Sequence, residues 1–135
     1  MQNKKIDQLI DKVENYLECW KQFYRFVTLG CGKKFSQEDD LQFLEVKSLL
    51  VQELELILAS VDVASPSKDE VHQLVSGAPS LRYLSELNNE AVRNLENQWH
   101  RVYIGWHAIL GQLKVQQNSE QSKSGFSSLF GSKKR

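Results

Sequence analysis

Three long stretches of this chain place apolar residues at steps of three and four, and both prolines, Pro66 and Pro79, lie outside them. Such steps put side chains on one face of an α-helix, whereas a strand alternates every second residue. Proline inside a helix removes a hydrogen bond and clashes with the preceding turn, so its confinement to one connector leaves the three stretches free to form long helices. The spacing therefore predicts an all-α antiparallel bundle of three long helices plus a short connector helix, with a flexible C-terminal tail.

The first stretch carries Ile6, Leu9, Ile10, Val13, Tyr16, Leu17, Trp20, Phe23, Tyr24 and Val27, separated mainly by polar residues. It predicts a helix over about 3–28, ended by Gly30-Cys31-Gly32, because glycine takes the left-handed geometry of a helix C-terminus at little cost. The second opens on Ser36, a capping residue, followed by Glu38, Asp39 and Asp40, which suit the positive end of the helix dipole. Leu41, Leu44, Leu50, Leu54, Ile57, Leu58 and Val61 mark its face, and Phe43, Val46, Leu49, Val51 and Leu56 widen it. A helix over about 37–61 with so broad an apolar surface is expected to be the central element, touching at least two neighbours.

Residues 62–80 form the connector. Ser65-Pro66 is a good helix start, Val71, Leu74 and Val75 give a short face, and Gly77-Ala78-Pro79 closes it, predicting a helix over 66–76. The last stretch runs from Leu81 through Leu95, Trp99, Val102, Trp106, Ile109 and Leu113 to about residue 117. At roughly 1.5 Å per residue it would span about 55 Å, longer than the other two. Either it breaks, at Asn88-Asn89, Gly105 or Gly111, or it overhangs and exposes Trp106, Ile109 and Leu113 as a surface for a partner or a two-fold homodimer.

Residues 118–135 differ in kind. They are rich in serine and glycine, and carry Lys123, Lys133, Lys134 and Arg135 against Glu120. The sequence thus divides into a helical domain, 1–117, and a flexible basic tail, 118–135. Within the tail, Phe126, Leu129 and Phe130 are apolar residues that solubility does not require, spaced so that one helical turn would align them. With Lys133, Lys134 and Arg135 they form the expected partner-binding segment, a docking peptide for a protein. The alternatives are that Phe126 to Phe130 fold back onto the bundle, or that the segment touches an anionic membrane surface, making the chain a peripheral membrane or assembly component.

The chain has 135 residues, 41% of them hydrophobic and 25% charged. That is enough for one self-sufficient core. Lys plus Arg balances Asp plus Glu at 17 each, which argues against a general nucleic-acid binder. Because the tail is net basic by three, the remainder is net acidic by three. Cys19 and Cys31 do not suggest a secreted disulfide framework, and no apolar run reaches the length of a signal or membrane span. A reduced, cytoplasmic protein is the expectation.

Catalytic constellations are weak. His100 and His107 lie seven residues apart, about 10 Å along a helix, too far to share one metal. Cys31 follows a helix C-terminus, where the dipole disfavours a thiolate. No phosphate-binding glycine loop, EF-hand order or Glu-x-x-His pair occurs. The sequence reads as a non-catalytic, cofactor-free helical adaptor that docks through its C-terminal tail and a face of the last helix. An enzymatic or cofactor-carrying bundle using His100, His107 or Cys31 is a further alternative.

Overall fold

The computed structural model describes residues 4–134, and side chains over 4–119. It is all-α among the described residues: α1 Lys4–Cys31, α2 Gln37–Leu58, α3 Lys68–Ser76, α4 Leu81–Ser85 and α5 Asn89–Lys134. The expected tail, 118–135, lies largely outside the described side chains. So do Phe126, Leu129, Phe130, Lys133, Lys134 and Arg135.

α1 is the central element. It packs against α2, α4 and α5, and eleven of its residues are buried against five in α2. α2 does touch two neighbours, α1 and α3, but the expectation that it lies at the centre is wrong. The core runs along α1 from Ile6 to Val27 and is filled from one side by Phe43, Leu50, Leu54 and Ile57 and from the other by Val102, Trp106, Ile109 and Leu113. Trp20 and Trp106 are fully buried, and Tyr16 meets both edge-on, at centroid distances of 5.9 and 4.9 Å. Such edge-to-face pairs add about 0.5–1.5 kcal/mol each beyond burial.

The end of α1 is not set as the glycines suggest. Gly30 continues the helix and is buried, because a side chain there would meet the Leu81 carbonyl and the Leu84 Cβ at 3.1 Å. The left-handed residue is Lys33, at φ 61°. Its N–H donates to the Gly30 carbonyl (3.0 Å) and that of Lys34 to the Leu29 carbonyl (3.2 Å). This is a Schellman-type closure. Gly30 thus serves close packing of α4 on α1, and a lysine makes the turn.

Ser36 caps α2 as expected, with a reciprocal bond: its side chain accepts from the Asp39 N–H, and its own N–H donates to the Asp39 carboxylate. α3 starts two residues later than expected, capped by Ser67. Pro66 is instead seated on Gly105 of α5, where an added Cβ would lie 2.7 Å from the proline Cγ. Gly105 is therefore a crossing point, not a break. The break before α5 falls at Asn88, whose side chain accepts from the Ala91 N–H at 2.8 Å. That bond caps the helix.

α5 runs antiparallel to α1. Tyr24 donates to Glu96, the Trp99 indole N–H to the Trp20 carbonyl (2.9 Å), Lys114 pairs with Glu14, and Gln117 donates to Asp7. Running the full length of α1, α5 buries Trp106, Ile109 and Leu113, so these do not form the exposed end that the length of the last stretch suggests.

Candidate interaction surface

Among the described residues the exposed large apolar side chains are Leu41, Leu44, Leu49 and Leu56 on α2, Tyr83 on α4, and Ile104 and Val115 on α5, so α2 carries the most of them. Phe43, Lys47, Leu50, Leu54 and Ile57 face inward at helical spacing. The broader apolar pattern then has to fall elsewhere on the helix. Leu41 is 61% exposed, Leu44 56%, and Leu49 and Leu56 are also exposed, while Val51 is half-buried. Leu41, Leu44, Ser48 and Val51 follow each other at steps of three and four and form one stripe along three turns. On its α3 side the stripe opens into a groove of about 660 Å³ lined by Leu44, Val51, Val75 and Pro79, with Ser48 and Gln52 at the rim.

Lys47 builds the groove wall. It is only 8% exposed, and its ammonium donates to the carbonyls of Ala78 (3.1 Å) and Pro79 (2.6 Å) while lying 4.9 Å from the centre of the Phe43 ring. Burial lowers its pKa, and the nearby Asp40 carboxylate partly offsets this. Asp40 in turn accepts from the Leu81 N–H at 3.0 Å. Two charged residues two turns apart on α2 thus hold the joint between α3 and α4. Nothing in the sequence marked Lys47, because a lone lysine in an amphipathic helix ordinarily points to water.

The stripe has an acidic border. α2 carries Glu38, Asp39, Asp40, Glu45, Glu53 and Glu55 against the single, inward-facing Lys47. Glu38 and Glu45 are exposed and flank Leu41 at helical spacing. Glu55 forms an ion pair with Lys68 of α3.

The other candidate residues are separate from this surface. Trp99, Tyr103 and His107 form a ladder along α5 with Tyr24 beside it, at centroid distances of 4.4–4.7 Å, so Trp99 is half-buried in the α1–α5 seam and not in the core. His100 and His107 are exposed. Cys19 and Cys31 are free thiols whose pKa values are raised, chiefly by burial. This is the reverse of an activated nucleophile. Tyr16 is also raised, by burial. Among the described residues no cluster of three His, Cys, Asp or Glu could hold a metal, and no helix is long and apolar enough to cross a membrane. No protein-family model, curated protein or solved structure matches the chain.

Proposed function

We propose that the protein is a non-catalytic helical interaction module, an adaptor whose receiving surface is the α2–α3 groove. The observation that carries this reading is the uncovered leucine stripe of α2, bordered by carboxylates, on a helix whose opposite face is fully packed. An exposed apolar patch with a charged rim is the ordinary signature of a binding face. The three turns of the stripe, with the groove alongside from Leu44 to Gln52, suit an amphipathic helix that offers apolar residues at i, i+3 or i+4 and i+7, and the acidic border selects a basic one. The C-terminal segment, with Phe126, Leu129, Phe130 and its basic end, is the complementary, donating half of the module. Burial raises the thiols of Cys19 and Cys31, which disfavours them as nucleophiles and supports a binding role over a catalytic one.

The test is an NMR titration of the full chain with two families of amphipathic helical peptides that share apolar positions and differ in charge. Shifts confined to α2, α3 and Pro79, given by the basic family and absent with the acidic one, are the expected result. No shift from either family sinks the reading.

A further inference from the structure

We infer that the groove of one copy is occupied by residues 125–135 of a second copy. The inference rests on the groove as a receptor for basic amphipathic segments and names the segment. The match is chemical. Phe126, Leu129 and Phe130 supply three apolar residues at i, i+3 and i+4, and Lys133, Lys134 and Arg135 follow soon after. The receiving helix offers Leu41, Leu44 and Val51 with Glu38 and Glu45 beside them, and its one lysine is turned inward onto backbone carbonyls. The chain is neutral because a surplus of three basic charges in 118–135 balances a deficit of three in the rest. Two α2 faces would repel each other, since both are acidic. The basic segment relieves that charge while covering the leucines.

Reach decides between a segment's own groove and a neighbour's. Gln117 sits against Asp7, at the start of α1. The groove lies beside the other half of α1, because Phe43, next to Leu44 and one turn from Lys47, packs on Phe23 and Phe26. From Asp7 to Phe23 or Phe26 is about 24–28 Å along the helix. Crossing from the α5 side of α1 to the far side of α2 adds two interhelical spacings of about 8–10 Å each. The nine residues from Gln117 to Phe126 span at most about 30–32 Å fully extended. The near end of the groove, at Val51 and Gln52, is about 12 Å closer and within that extended length, but α5 stays helical from Gln117 to Lys134, and at about 1.5 Å per residue that helix carries residues 125–134 about 12 Å or more beyond Gln117 and away from their own groove. The segment can enter a neighbour's, and a reciprocal exchange closes a two-fold dimer.

The experiment is sedimentation velocity of the full chain over a concentration series, with far-UV circular dichroism as a check on folding. The expected result is a reversible dimer that weakens with salt. Leu44→Glu, at an exposed position, and the triple variant Lys133→Glu, Lys134→Glu, Arg135→Glu should each weaken it about tenfold or more. Adding Glu38→Lys and Glu45→Lys to the triple variant should restore it. A monomeric wild type, or a dimer indifferent to both Leu44→Glu and the tail reversal, overturns the inference. A labelled peptide of residues 119–135, titrated onto the full chain beside an unrelated basic amphipathic peptide, separates the two levels. If only the unrelated peptide binds, the groove stands and the self-occupant falls. If neither binds, both fall. If the 119–135 peptide ignores the protein and binds anionic vesicles, the segment faces lipid and the inference is wrong.

Discussion

The α1–α5 seam and the outer face of α2 are both rich in large apolar side chains, and they fare in opposite ways. Along the seam, Tyr16, Trp20 and Trp106 are sealed from water, and the edges are stitched by Tyr24 to Glu96, Trp99 to the Trp20 carbonyl and Gln117 to Asp7. On α2, one face is packed as tightly while Leu41 and Leu44 on another stand in solvent. Apolar content alone does not decide burial. A helix buries as many faces as it has neighbours, and α2 has α1 along one side, the short α3 on another and the start of α4 held at Asp40.

The sharpest way to break this contrast is truncation at matched sites. Trp106→Ala should cost about 3–5 kcal/mol, because the cavity opens in the core directly beside the buried Tyr16 ring, whereas Leu44→Ala should stay within about 0.5 kcal/mol. Chemical denaturation measures both, and equal losses would mean the stripe is not solvent-facing. Next comes the one strong fixture on α2. Lys47→Met keeps the aliphatic stem but leaves the Ala78 and Pro79 carbonyls without their donor, at an expected cost of about 1–3 kcal/mol, and should speed proteolysis at 77–80. Two glycines of α5 then give opposite signs. Gly105→Ala drives a methyl into Pro66 and should destabilise by about 1–3 kcal/mol. Gly111→Ala, with nothing within 4 Å of the new Cβ, should stabilise by about 0.5–1 kcal/mol. Thermal melts of the pair check this.

Smallest is a pH effect in which the two regions pull against each other. Tyr16, Tyr24, Cys19 and Cys31 on α1 all titrate higher in the fold than their ordinary values of 10.0 for the phenols and 9.0 for the thiols. Tyr16 and the thiols are raised first by burial, and Tyr24 by its bond to Glu96. The folded chain then holds protons that the unfolded chain has lost, so their contribution is intact below about pH 9 and declines as pH rises through the folded values. Lys47 titrates lower than 10.5 in the fold, so its share rises with pH up to that value. Melting temperature should fall from about pH 9 upward, with Tyr16→Phe flattening the fall and Lys47→Met steepening it. A flat profile in the wild type would contradict the burial of Tyr16.

How much of this was legible beforehand differs between the same two regions. The α1 stripe was readable because its apolar positions form one clean face and its polar ones the other. The roles of Gly30 and Gly105 were not. Both serve close approach to residues far along the chain, Leu81 and Leu84 for one and Pro66 for the other, and local sequence carries no trace of such partners. The breadth of α2 was visible, but the periodicity of a helix counts apolar residues and not the helices available to cover them. The groove itself joins Leu44 and Val51 to Val75 and Pro79 across the connector, so only the fold could assemble it. Asn88 was the exception among distant features: its capping chemistry is local, and it was among the expected weak points.

The antiparallel course of α5 also sets a timetable. α1 meets α2 across a turn of five residues, 32–36, but its bonds to α5 span 72, 79 and 110 positions. Short-range closure is fast and long-range closure slow, so the α1–α2 hairpin is the natural first structure. A growing chain emits residues at about 5–20 per second, which leaves several seconds between the emergence of Trp20 and of Trp106. Throughout that interval the most aromatic side of the molecule is bare.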